Sequence, residues 1–67
     1  MKLNFRIEKE TKGAVQYKEC NSNGSVKAIS DGAVIGTLYV RKAALPASGI
    51  PPVLSVDLEF PTYIDHE

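Results

Sequence analysis

The chain has few of the residues that hold small proteins together through covalent or metal links. Its 67 residues include one cysteine, Cys20, one histidine, His66, and no tryptophan. A single cysteine excludes an internal disulfide, and the sequence shows no cluster of metal ligands. We expect one small domain without a metal or other cofactor. Because so short a chain buries a small core, we also expect it to pair with a second copy as a homodimer.

Long apolar segments are also missing. The first apolar residues, Leu3, Phe5 and Ile7, alternate with polar ones, which is not the pattern of a signal peptide. No apolar run approaches the length of a membrane span. We therefore expect a cytoplasmic protein without membrane association.

The chain has no net charge, but its charges are distributed unevenly. Residues 1–42 contain eight basic and four acidic residues, a net charge of +4, whereas residues 43–67 contain four acidic and no basic residues, a net charge of −4. This asymmetry can indicate a basic binding face with an acidic tail. Alternatively, the two halves neutralise each other across neighbouring strands. The sequence leaves both interpretations open.

The longest stretch of β-branched and aromatic residues lies within residues 34–45 and predicts a strand. Leu38 and Val40 alternate with a more polar row, so one face is expected in the core and the other outside. Gly36 inside the run indicates a bend or a bulge. The residues that follow favour one helical turn, which Pro46 ends. The outer row contains Thr37, Tyr39 and Arg41.

Alternation and turn residues predict the rest of an all-β fold. Further strands are expected over residues 3–9, 14–20 and 53–60, with a short edge strand over residues 26–30. The expected architecture is a five-stranded antiparallel meander or barrel, with one helical turn before the last strand. The last strand pairs either with the first strand or with a second copy. Residues 1–60 form the domain, and residues 61–67 form a polar tail.

The candidate catalytic residues have structural explanations. Asp57 and Glu59 share a strand face, but it is the polar face that is expected in solvent. Cys20 has no histidine beside it and fits a half-buried structural cysteine at a strand end. His66 lies in the tail, and the five glycines are scattered among turns rather than forming a phosphate loop. We therefore expect a non-enzymatic binding protein.

A basic, tyrosine-bearing sheet face is the sharpest functional pattern. Proteins that bind single strands combine a cationic surface with aromatic side chains on which bases stack. We therefore predict binding of single-stranded nucleic acid. The alternative is a protein-interaction or homo-oligomerisation module, in which the row of Ile35, Thr37 and Tyr39 forms a dimer seam. The predicted nucleic-acid-binding residues are Tyr39, Arg41, Lys42, Arg6, Lys18 and Lys27.

Three motifs carry a resemblance to a known family. They are EKETK at residues 8–12, VxYxE at residues 15–19, and IGTLYVRKxxL at residues 35–45. This pattern resembles a family of small prokaryotic proteins that have no assigned activity, over most of residues 7–60. The resemblance implies a small all-β fold and carries over no functional residues.

Overall fold

The structure, a computed structural model, describes residues 1–62 and 64. It is one curled antiparallel sheet with the shape of a half-barrel, in the order β3-β2-β1-β4. The all-β antiparallel prediction is confirmed. None of the helices in the described part of the chain is long and apolar enough to cross a membrane. The strands are β1 (Lys2–Glu10), β2 (Ala14–Cys20), β3 (Thr37–Arg41) and β4 (Val53–Asp57).

The core lies on one face of this sheet. Phe5, Val15 and Tyr17 are fully buried there, and Leu3 is almost so. Alternation along each strand predicts these positions, because successive side chains point to opposite faces. Partly buried apolar residues from the edge strands complete the core: Leu38, Val40, Leu54 and Val56.

The last strand pairs with the first. β4 lies antiparallel to β1 with Leu54 opposite Phe5, and the pairing continues where the Leu58 N–H donates to the Met1 carbonyl at 2.7 Å. The sheet does not close into a barrel, because β3 and β4 are its two ends. Of the two partners considered for the last strand, the structure therefore has the first strand of the same chain.

The edge strand predicted over residues 26–30 does not form, so the five-strand count is not confirmed. Only Val26 makes a β-bridge, with Cys20, and the chain then enters a 3₁₀ turn over Ile29–Asp31. The physical reason is that β3 itself occupies the position beside β2 from Ala14 to Lys18. Space for a further neighbour remains only beside the last two residues of β2.

The start of β3 and the end of β4 also differ from the sequence prediction, by three residues each. β3 begins at Thr37 rather than at residue 34, because Gly36 has a φ of +87° and bends the backbone. β4 ends at Asp57, and Phe60, expected in the core, is 63% exposed. Phe60 lies two residues beyond the last backbone pairing with β1, so it has no core to enter.

The connection from β3 to β4 crosses the core face of the sheet. It begins with the predicted helical turn, a 3₁₀ turn over Lys42–Ala44. Leu45 and Ile50 pack against the core, and the Tyr17 hydroxyl donates to the Pro51 carbonyl at 2.8 Å. The segment therefore covers the apolar face and leaves the opposite face of the sheet open. Tyr63 and residues 65–67, which include His66, lie outside the described residues.

Candidate nucleic-acid interface

The face of the sheet opposite the core, here called the outer face, carries a row of cations. Arg6 on β1 lies directly opposite Lys18 on β2, and Lys18 lies opposite Thr37 on β3. Because facing residues of an antiparallel pair point to the same side, the Arg6 and Lys18 side chains leave the sheet together. Tyr39 and Arg41 follow Thr37 on that face by alternation.

Arg6 and Lys18 are bonded to neutral oxygens. Arg6 Nη1 donates to the Gly24 carbonyl at 3.1 Å, and Lys18 Nζ donates to Thr37 Oγ1 at 3.0 Å. The ion pairs found among residues 1–62 and 64 involve neither side chain. Like charges directly opposite one another disfavour the folded sheet. A bound anion between them would relieve this repulsion.

Tyr39 is held in position on the outer face. Its hydroxyl accepts a hydrogen bond from the Gln16 side-chain amide on the neighbouring strand, while 59% of the residue stays exposed. Gln16 itself is buried. The ring is therefore fixed at one end and accessible, as a stacking platform requires.

The six predicted site residues are divided between two places. Tyr39, Arg41, Arg6 and Lys18 share the outer face. Lys42 is drawn away, because its Nζ forms an ion pair with Glu10 Oε1 at 3.0 Å. Lys27 also lies apart from the face, near the buried Glu19 carboxylate. The structure therefore brings four of the six residues together.

One further cation joins the outer face through an irregularity in β1. The register of β1 against β2 shifts between Ile7 and Lys9, which sets Lys9 opposite Gln16. Simple alternation does not predict this position, because a bulge adds one residue to the strand. Nothing in the local sequence indicated the bulge.

Among the described residues, Asp57 places an acidic group on the outer face. Asp57 lies opposite Lys2, and its carboxylate accepts from the Met1 N-terminal ammonium at 3.3 Å. This is the one ion pair in the described part of the chain that joins the basic first half to the acidic second half. In that part of the chain, the two oppositely charged halves therefore neutralise each other directly through this one ion pair.

A second polar cluster lies on the core side and was not predicted. The Glu19 side chain, 1% exposed, accepts hydrogen bonds from three successive backbone N–H groups. Oε1 lies 2.9 Å from Val34 N, 2.7 Å from Ile35 N and 3.0 Å from Gly36 N. Two features of the sequence point to this cluster. Glu19 lies two residues after Tyr17 and therefore on the core face of β2, and Gly36 interrupts a strand pattern.

The three N–H groups form a concave anion site that the chain fills with its own carboxylate. Burial by itself raises the pKa of the Glu19 carboxyl. The hydrogen bonds from Gly36, Ile35 and Val34, with the nearby Lys27 ammonium, outweigh that effect and hold the pKa below its usual range. This cluster fixes the chain ahead of β3, and its three N–H groups all donate to Glu19.

The described residues offer little for catalysis or metal binding. Within residues 1–62 and 64 there is no group of histidine, cysteine and carboxylate side chains able to hold a metal ion. The same part of the chain encloses no cavity. Cys20, expected to be half-buried, is 5% exposed at the end of β2 and is not disulfide-bonded.

Comparison of the chain with family models, with curated proteins and with solved structures finds no significant match. The resemblance carried by the three sequence motifs therefore stays a prediction.

Proposed function

We propose that this protein is a non-enzymatic module that binds single-stranded nucleic acid on the outer face of its sheet. The observation that carries the proposal is the direct opposition of Arg6 and Lys18, whose hydrogen-bond partners are neutral and which form no ion pair with a carboxylate among residues 1–62 and 64. A phosphate group bound there would interact with two cations at once.

Tyr39 supplies the second element of the proposed site. It lies on the strand beyond Lys18, exposed and held through Gln16. A nucleotide whose phosphate contacts Lys18 would place its base toward β3, where a tyrosine ring can stack on it. Arg41, at the end of the same row, would contact the next phosphate. Stacking requires an unpaired base, which favours a single strand over a duplex.

The proposal is tested by fluorescence anisotropy with a labelled single-stranded oligonucleotide over a series of salt concentrations. Each phosphate contact on a single strand adds about 0.7 to the slope of log affinity against log salt. The double variant Arg6→Gln/Lys18→Gln should therefore bind more weakly, with a slope shallower by about 1.4. Lys12→Gln, in the exposed turn between β1 and β2, removes a positive charge away from the face and should change the slope little. Absence of wild-type binding at low salt, or equal slopes for the double variant and the wild type, overturns the proposal.

The same titration tests the role of Tyr39. Stacking of a base on an aromatic side chain contributes about 1–3 kcal/mol to binding, so Tyr39→Ala should weaken binding by that amount. Tyr39→Phe keeps the ring and loses only the hydrogen bond with Gln16, and should retain most of the affinity. Equal loss in both variants would mean that the hydroxyl, rather than the ring, matters.

The alternative function, a protein-interaction or homo-oligomerisation module without a role in nucleic-acid binding, is favoured by a different observation. β3 and β4 each have a strand partner on one side only within the described part of the chain. Unpaired strand edges are templates for pairing with another chain. This alternative predicts self-association or capture of a β-strand peptide, with no oligonucleotide binding at low salt.

A further inference from the structure

The backbone of β3 alternates between its partner β2 and the open edge of the sheet. The Gly36 carbonyl accepts from Glu19 N at 2.7 Å, and Lys42 N donates to the Gly13 carbonyl at 3.0 Å. Because backbone groups in an antiparallel ladder change direction at every residue, the even-numbered residues from 36 to 42 face β2. The backbone groups of Thr37, Tyr39 and Arg41 therefore face the open edge.

Most of these edge groups have no partner among residues 1–62 and 64. The Thr37 N–H donates to the Ile35 carbonyl at 3.2 Å, but the Tyr39 and Arg41 N–H groups make no such contact there. Natural edge strands are protected by short length, charged side chains, proline, a bulge or an inward-pointing charge. β3 is five residues long and carries the charge of Arg41 at its end, but it has no proline, no bulge and no inward-pointing charge, since its inward residues are Leu38 and Val40.

We propose that β3 pairs antiparallel with β3 of a second copy, about a two-fold axis beside Tyr39. The strand is self-complementary in this register. Tyr39 lies opposite the second copy's Tyr39, Leu38 opposite Val40, and Thr37 opposite Arg41. On the core face, the pairing joins half-buried apolar side chains of the two copies. On the outer face, it forms an aromatic cross-strand pair, which stabilises a sheet.

The other edge, β4, is less suited to the same pairing. Leu58 N donates to the Met1 carbonyl and Ile7 N to the Pro52 carbonyl, so the even-numbered residues of β4 face β1. The outward positions then include Pro51, which has no N–H to donate. A two-fold register about Ser55 would also place the Asp57 carboxylate opposite the apolar Val53. Proline and charge of this kind are typical of edges that avoid pairing.

Five residues on each side form a short seam. Specific stable interfaces bury about 1,200–2,000 Å² in total, and an edge of this length falls at or below that range. The dimer is therefore expected to dissociate on dilution. Pairing would still stabilise the fold of a chain with so small a core, because only the folded chain can pair.

The dimer would also enlarge the proposed nucleic-acid-binding surface. This consequence rests on the proposed function, whereas the dimer itself does not. The two outer faces become continuous, with two Tyr39 rings side by side at the centre of an eight-stranded sheet. Arg41 and Lys18 of both copies flank them. One exposed tyrosine is a small stacking platform, and two adjacent rings fit consecutive bases of one strand.

The test uses the full chain without any nucleic acid, so its failure is distinct from failure of nucleic-acid binding. Amide hydrogen exchange is followed by NMR at low and high protein concentration. The Tyr39 amide should gain protection as concentration rises, whereas the Ser55 amide, the equivalent outward group on β4, should not. Sedimentation at the same concentrations should show a monomer becoming a dimer.

A matched pair of variants tests the seam. Tyr39 and Val53 are both 59% exposed on the outer face, one on each edge strand. Tyr39→Lys places two ammonium groups directly opposite each other at the two-fold axis and should abolish the dimer. Val53→Lys adds the same charge to the other edge and should leave it intact. A wild-type monomer at millimolar concentration, or loss of the dimer in Val53→Lys alone, overturns the proposal.

Discussion

Glu19 connects two parts of the sheet through its buried side chain. Its carboxylate is buried, and it accepts three backbone N–H bonds from residues 34–36. Hydrogen bonds to a charged group contribute about 1.5–3 kcal/mol each, roughly twice a neutral one. The residue thereby joins the end of β2 to the start of β3.

Glu19→Gln should lower the free energy of unfolding by about 2–4 kcal/mol. The amide keeps one acceptor oxygen, but its NH₂ group faces an N–H donor of the cluster. The measurement is urea unfolding followed by circular dichroism. Glu59→Gln makes the same chemical change at an exposed position and should have almost no effect. Equal stability of the two variants would contradict the structural role of Glu19.

The lowered pKa of Glu19 also predicts an acid limit to stability. The folded-state pKa lies below the unfolded value, so on acidification the unfolded chain takes up the proton first. The stabilisation is complete above the ordinary glutamate pKa, about 4.3, and is lost as pH falls through the folded pKa. In a pH series of urea unfolding, the difference between wild type and Glu19→Gln should shrink below about pH 4. A constant difference would contradict this assignment.

At the scale of elements, the segment from residue 34 to 36 decides where β3 begins. Gly36 has a φ of +87°, which turns three successive N–H groups toward one point. A side chain at this position would meet nothing within 4 Å. The requirement for glycine is therefore set by the backbone conformation and not by crowding.

Gly36→Ala should cost about 1–2 kcal/mol, the penalty of an L-residue in the left-handed region. Gly13, in the β1–β2 turn, has equal open space and no positive φ. Gly13→Ala should therefore be neutral or stabilise by about 0.4–1 kcal/mol, because alanine restricts the unfolded chain. Thermal unfolding of both variants separates the two effects. Equal cost at both positions would mean that the Gly36 backbone is not a constraint.

The elements also show where local sequence was sufficient and where it was not. The strands β1 and β2 and the faces of all four strands, except the part of β1 beyond its bulge, follow from alternation, because each strand has one face on the core. The segment over residues 26–30 carries a strand-like pattern between two turn signals. It fails to form a strand because β3 occupies the neighbouring position on β2. Competition for a strand partner is a long-range effect that no local pattern contains.

At the scale of the whole molecule, the sheet is completed by its longest connection. The segment between β3 and β4 crosses the core face and is tied to β2 by the hydrogen bond from Tyr17 to the Pro51 carbonyl. Burial raises the pKa of the Tyr17 phenol above its ordinary value. The neutral phenol is the form that can donate this bond.

Tyr17→Phe should cost about 1 kcal/mol at neutral pH, because the Pro51 carbonyl loses its donor. In the wild type, the contribution of Tyr17 is complete below the ordinary tyrosine pKa, about 10, and is lost as pH rises through the higher folded pKa. The stability difference between the two proteins should therefore shrink as pH rises above about 10. Urea unfolding over a pH series measures it, and a difference independent of pH would contradict the buried, neutral phenol.

The candidate site shows the same division between local and long-range information. Tyr39 and Arg41 share an outer row by alternation within one strand, and the sequence predicts this directly. Lys42 and Lys27 lie away from the outer face, near Glu10 and Glu19 respectively. These carboxylates come close to the two lysines only after the sheet has formed. Lys9 reaches the outer face through a bulge. Charge, aromatic character and alternation therefore identified the candidates, and strand pairing determined which of them share the outer face.

The sequence by itself determined the fold class, the inward-facing apolar residues of each strand and the helical turn that follows β3. These properties follow from side-chain alternation and turn chemistry, which act over a few residues. Only the tertiary structure decided that β4 pairs with β1, that the sheet has four strands, and that Arg6 lies opposite Lys18. Those features depend on which strands compete for the same partner. That competition is settled by contacts between residues far apart in the chain.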